Sequence, residues 1–278
     1  MEPGQPSRTA MGAAAHRAAH QVLEGGRIFS DPLALRILGA DAEAAVHAAR
    51  RNPARTRLRL FIALRSRLAE EALERAFARG LRQLVVLGAG LDTYAYRNPL
   101  GEDLRVFEVD HPSTQAWKRR RLAEAGIPAP GNLAYVPVDF EREGLMERLA
   151  QAGFAPARPS FFTWLGVVPY LSEAAVFATL AAIAALPGGA QVVFDYGNPA
   201  GEGRDAYAAD REDLARRVES AGEPLESHFE TGELHARLAA LGFGSIEDLG
   251  PAAMRRRFLP GAEAAGTDRG GHILTAGR

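Results

Sequence analysis

The feature that most constrains this chain is the run Gln83-Leu84-Val85-Val86-Leu87, which passes without a break into Gly88-Ala89-Gly90. Five apolar, partly β-branched residues stopped by glycine read as a buried strand. Similar short runs recur at residues 105–109, 134–138, 160–165 and 191–194, although Pro137 weakens the second of these. Helical patterns separate them, at 112–124, 141–151 and 172–186. In the last, Val176, Leu180 and Ile183 share one face and Ser172 is placed as the N-cap. Short strands alternating with helices predict a mostly parallel sheet covered on both faces. A helix at 231–241 and strands at 244–248 and 272–276 end the sheet in a hairpin-like pair. Before the sheet, helices are predicted at 9–21, from Asp31-Pro32 to Leu38, and at 53–78. The last has Phe61, Leu64, Leu68 and Leu73 as its apolar stripe.

The organisation expected is one α/β domain over residues 1–278. Its parts are a helical extension (1–80), a sheet core (81–196), an inserted helical lid (197–230) and the end of the core (231–278). Hydrophobic residues are 47% and charged residues 24%, enough apolar surface for a core of that size. The net charge of -1 excludes a general attraction to nucleic acid or anionic lipid. The absence of cysteine excludes disulfides, thiolate metal sites, iron–sulfur clusters and a cysteine nucleophile. The first twenty residues lack the apolar core of a signal peptide, and the stretch 174–186 is too short to span a bilayer. The expected setting is therefore the cytoplasm. His16 and His20 are four residues apart, but no acid or cysteine completes a set, so no metal is expected.

The chemistry concentrates where the strands end. Gly88 and Gly90 allow a tight turn and close approach of a ligand to the backbone. Twenty-two residues after Gly88, the next strand ends in Glu108-Val109-Asp110. An acid there can accept hydrogen bonds from the two hydroxyls of a ribose. Strand, Gly-x-Gly, helix, strand and acid in one unit point to a nucleoside site. A dinucleotide fingerprint would place glycine at Thr93, and Asp92 would repel a pyrophosphate. The pattern suits a ligand without phosphate that carries positive charge, such as S-adenosylmethionine. Asp139-Phe140, after the third strand, can bind the amine of adenine and pack on its ring. Asp139 also reads as an N-cap for the helix that follows.

Together, the stretch QLVVLGAGLDTYAYR (83–97), FEVDHP (107–112), VDF (138–140), FFTWLGVVPYL (161–171) and VVFDY (192–196) resembles the leucine carboxyl methyltransferase family. It is most similar to the bacterial branch of small-molecule O-methyltransferases. SRTA near the N-terminus and DPLAL at 31–35 fit as well, so the resemblance covers residues 7 to 196. It implies the Rossmann-like class I methyltransferase fold, a seven-stranded sheet with a reversed last strand. It implies S-adenosyl-L-methionine as cofactor and transfer of methyl to a carboxylate or hydroxyl of a small molecule. By the same resemblance, Gly88, Ala89 and Gly90 lie under the methionine part, and Asp110 holds the ribose with Glu108 close by. Asp139 and Phe140 flank adenine. Arg65 grips the cofactor carboxylate, with Arg67 as the fallback, and a guanidinium suits that task. Arg97 is a second cation. The family has a glutamate where this chain has Leu165, so one acid of the cofactor site is missing.

Two readings compete with the enzyme. A nicotinamide-dependent oxidoreductase uses the same strand–glycine–acid plan, and Leu165 keeps open a methyltransferase-like protein without turnover. A hydroxyl acceptor needs a general base, for which His111 and Tyr170 are the candidates. His111 reads equally as a cap before Pro112. Trp164 and Tyr170 line the cleft edge or pack in the core. Of the seven arginines between residues 50 and 67, all but Arg65 read as a solvated helix face. The acceptor is a small molecule; no nucleic acid or membrane partner is expected.

Overall fold

The computed structural model describes residues 7–139, 143–199, 206–220, 222–258 and 268–278. The chain divides into two compact units, Met1–Phe161 and Phe162–Arg278. Its seven strands take the order β3-β2-β1-β4-β5-β7-β6 in one sheet. They are β1 (Gln83–Leu87), β2 (Arg105–Asp110), β3 (Leu133–Pro137), β4 (Ser160–Trp164), β5 (Ala190–Gly197), β6 (Ser245–Leu249) and β7 (Gly271–Gly277). This is the mostly parallel seven-stranded sheet expected from the sequence.

In the first unit, β1 and β3 flank β2 and both run parallel to it. All five residues of β1 are buried. Successive strand residues point to opposite faces, so β1 is covered on both. Six α-helices are described in this unit ahead of β3: α1 (Arg8–Leu23), α2 (Ala34–Leu38), α3 (Asp41–Arg51), α4 (Thr56–Ala78), α5 (Tyr94–Arg97) and α6 (Pro112–Glu124). α7 (Leu145–Gln151) follows β3. Leu64, Leu68 and Leu73 of α4 are buried as the apolar stripe requires, while Phe61 is half-buried. Small residues let α1 sit close to its neighbours. Ala14 and Ala18 pack with Leu33, Ile37 and Leu38, with Leu91 after the glycine turn, and with Leu122 of α6.

The differences from expectation have local causes. α3 buries only Val46, and the rest of its inward stripe is alanine (Ala42, Ala45 and Ala49), although Asp41 and Glu43 at its start and Arg50 and Arg51 at its end suit a helix dipole. α2 starts at Ala34 rather than beside Asp31. The buried Asp31 carboxylate accepts the Leu33 N–H and its carbonyl accepts the Ala34 N–H, so residues 31–34 make a turn ahead of the helix. α7 starts four residues later than predicted, and residues 140–142 lie outside the described residues.

In the second unit, β7 lies between β5 and β6 and runs antiparallel to both, the reversed strand anticipated. Four helices are described here: α8 (Glu173–Ala184), α9 (Ala206–Ser220), α10 (Thr231–Ala240) and α11 (Pro251–Phe258). The Ser172 hydroxyl accepts the Ala175 N–H and caps α8 as predicted. α9 falls in the predicted 197–230 insertion, of which residues 200–205 and 221 lie outside the described residues. α11 was not anticipated, because Met254 alone is buried on it. No helix among the described residues is long and apolar enough to cross a membrane.

Candidate functional site

The site of the first unit is built where β1 and β2 end. Gly88 and Gly90 have φ of 64° and 43°, the left-handed region that a side chain strains to enter. A Cβ on Gly90 would also stand 3.0 Å from Cβ of Ala10 in α1. The Ala89 N–H donates to the Val109 carbonyl at 3.0 Å and ties the turn to β2. Asp92 accepts the Tyr94 N–H and starts α5.

Asp110 is half-buried at the end of β2. Its Oδ2 accepts the Gly90 N–H at 2.5 Å and its Oδ1 accepts the His111 N–H at 2.6 Å. Burial raises its pKa above the ordinary aspartate value, against the pull of those two donors. Each oxygen keeps acceptor capacity beyond its one backbone donor. Two further O–H donors side by side, such as a vicinal diol, would complete the set. Asp110 thus stands at the strand end where the sequence placed it and also shapes the glycine turn.

Glu108 takes a different place. It is fully buried under α6, where Lys118 Nζ reaches its Oε2 at 2.8 Å. The Tyr96 hydroxyl stands 3.4 Å from the same oxygen and 2.8 Å from the Tyr135 hydroxyl. Oε1 has no hydrogen-bond partner. Burial, only partly offset by Lys118, pushes the Glu108 pKa up to about 7. Glu108 is a core ion pair beside the site, not an open acceptor for a ribose. Lys118, its partner, was missed in the sequence; the signal available was a lone lysine in an otherwise arginine-rich helix.

His111 serves as the cap of α6: its Nδ1 accepts the Ser113 N–H and meets the Ser113 hydroxyl. With Nδ1 an acceptor, a neutral ring carries its proton on Nε2. Arg97 is also engaged. Its guanidinium grips Glu70 of α4 through both terminal nitrogens, and its Nε donates to Thr93 Oγ1. Arg65 is half-buried on α4, and Arg67, the fallback, pairs with Glu71 at 2.7 Å. Asp139 is half-buried beyond β3. Its N–H donates to Glu143 and its carbonyl accepts the Glu143 N–H, while the predicted helix start at 141 lies outside the described residues. Phe140 lies outside the described residues.

Leu165 and Tyr170 belong to the second unit. Leu165 is half-buried after β4, and the N–H of the next residue, Gly166, donates to the buried carboxylate of Asp195 on β5. An acid from β5 therefore stands next to the position where the fourth strand offers none. Tyr170 is half-buried in the 3-10 turn Val168–Tyr170. Residues 226–227 bond to the Val168 and Pro169 carbonyls of that turn. Trp164 is fully buried against Phe194 and packs in the core.

The site and the sheet agree with what the chain is similar to. The family described as leucine carboxyl methyltransferase matches residues 10–184. "Putative S-adenosyl-L-methionine-dependent methyltransferase YktD" of Bacillus subtilis is 34% identical over 191 residues, covering 67% of this chain and 62% of that protein. The match thus spans less than two thirds of the length of YktD. A protein of the same description from Mycolicibacterium paratuberculosis is 33% identical over 233 residues, 78% of this chain and 73% of its own. Among solved structures, a "putative methyltransferase" from Thermobifida fusca shares the fold with a TM-score of 0.55 at 20% identity, covering 98% of this chain and 95% of its own. The chain belongs to the leucine carboxyl methyltransferase family.

Proposed function

We propose that this protein is an S-adenosyl-L-methionine-dependent methyltransferase that methylates an oxygen, a carboxylate or a hydroxyl, of a small molecule in the cytoplasm. The observation that carries this reading is the Asp110 carboxylate. It is ordered by two backbone N–H groups and retains acceptor capacity on both oxygens, at the end of the strand beside a positive-φ glycine turn. The donors and acceptors fit a ribose diol, and the Asp92 carboxylate on the same turn fits a cationic ligand better than a phosphate.

In this reading Asp110 fixes the ribose, and the Gly88–Gly90 backbone lies under the methionine part. Arg65 pairs with the cofactor carboxylate, and Asp139 meets the adenine amine. The sulfonium supplies an activated methyl group and a neutral leaving group. The protein then has to align the acceptor oxygen in line with it and exclude water. A carboxylate acceptor asks for no base. The Ser113 N–H occupies the Nδ1 lone pair of His111, which favours a carboxylate over a hydroxyl that would use His111 as its base.

Calorimetric titration with S-adenosylmethionine, S-adenosylhomocysteine and NADH tests the reading. Micromolar binding of the first two without the third is expected; binding of NADH alone would replace it with an oxidoreductase. Arg65→Ala is expected to weaken S-adenosylhomocysteine about tenfold or more, the worth of a charge-assisted pair. If only Arg67→Ala has that effect, the cofactor carboxylate is held two residues further along α4.

A further inference from the structure

One group of buried polar residues in the first unit has no part in the mechanism above, yet all of it converges on the glycine turn. Asp31 and Thr93 are both fully buried. Asp31 Oδ1 accepts the Thr93 hydroxyl at 2.8 Å and the Leu33 N–H at 3.2 Å, and Oδ2 accepts Arg17 Nε at 3.1 Å. The terminal nitrogen of Arg17 continues to the Leu91 carbonyl at 2.5 Å. On the far side, Thr93 Oγ1 accepts Arg97 Nε at 3.1 Å, and Glu70 holds that guanidinium. Leu91 and Thr93, one and three residues after Gly90, are thus gripped, one by its carbonyl and one by its hydroxyl. The grips of Arg17 and Asp31 come from segments that precede β1 in the chain.

We propose that Asp31, Arg17 and Thr93 are positioning residues that set the Gly88–Gly90 turn in its ligand-binding shape before a ligand arrives. The proposal rests on the cofactor reading above and extends it to residues that touch no ligand. Two glycines at positive φ give this turn more conformational freedom than any other residues would. A turn that had to order itself on binding would lose affinity by that entropy; a turn already held does not. Apolar packing would stabilise the fold as well as a buried ion network does. Directed hydrogen bonds add what packing cannot, a fixed position for one carbonyl and one hydroxyl. The helical extension is then a working part of the cofactor site.

Thr93→Val keeps the shape of the side chain and removes both hydroxyl bonds; Thr93→Ser keeps the hydroxyl. The test measures S-adenosylhomocysteine affinity by calorimetry, thermal stability, and amide hydrogen exchange of residues 88–93 without ligand. The expected result for Thr93→Val is a Kd about tenfold higher, faster exchange in the turn and a melting temperature lowered by only a few degrees. Thr93→Ser should stay within about twofold of the natural chain. If Thr93→Val binds as tightly and its turn exchanges as slowly as the natural chain, the proposal is overturned. If the natural chain itself binds no S-adenosylhomocysteine, the cofactor reading fails and takes the proposal with it.

Discussion

Asp110→Ala should bind S-adenosylhomocysteine more than about a hundredfold more weakly than the natural chain while keeping its fold. Two charge-assisted hydrogen bonds to a diol are worth about 3–6 kcal/mol together, which sets that lower bound. The fold survives because the strand end is half-buried, so water can take over the Gly90 and His111 N–H groups. Asp110→Asn tests the same carboxylate more sharply. Both oxygens accept a backbone N–H, and an amide has only one oxygen to give. Its NH2 group must therefore face either the Gly90 or the His111 N–H. The asparagine variant should lose affinity too, and about 1–3 kcal/mol of stability with it. Calorimetry and far-ultraviolet circular dichroism read both effects. Unchanged affinity in the alanine variant would remove Asp110 from the ribose.

Lys118→Met should destabilise the protein by about 3–5 kcal/mol, the cost of leaving a buried charge without its partner. Glu108 and Lys118 are each 1% exposed, and Glu108 Oε1 already has no partner. Without Lys118, Glu108 can only take up a proton or unfold its surroundings. Adding Glu108→Gln should recover part of the loss, and urea denaturation of the single and double variants measures it. The natural pair also has a pH signature. Glu108 has a folded pKa of about 7 against an ordinary 4.5, so between those values the folded state holds more protons than the unfolded one. Stability from this group is therefore fullest below about pH 4.5 and falls as pH rises through 7. Glu108→Gln should flatten that fall between pH 5 and 8, and an unchanged slope would assign it to another group.

The ends of the strands were legible because everything that builds them is local. A five-residue apolar run, two glycines and an acid at a fixed distance are separations that a chain displays in one dimension. Asp110 followed from them directly. Glu108, two residues earlier on the same face, carried the same local signal and ended in the core. The difference is α6, which lays Lys118 over one acid and leaves the other at the strand end. Arg97 was read as a ligand for the cofactor because it is a cation near the turn; Glu70 meets it from 27 residues away.

By itself, then, the sequence determined the alternation of strands and helices and the turn beside Asp110, which rest on hydrophobic period, glycine φ and short spacing; the reversed last strand followed from the resemblance to the family. Tertiary structure alone decided which charges are partners. Arg17 finds Asp31 across 14 residues and Leu91 across 74, and Asp31 finds Thr93 across 62. No period or propensity records such pairs. A buried charge is matched by whatever distant segment packs against it, and the cost of leaving it unmatched makes that choice specific.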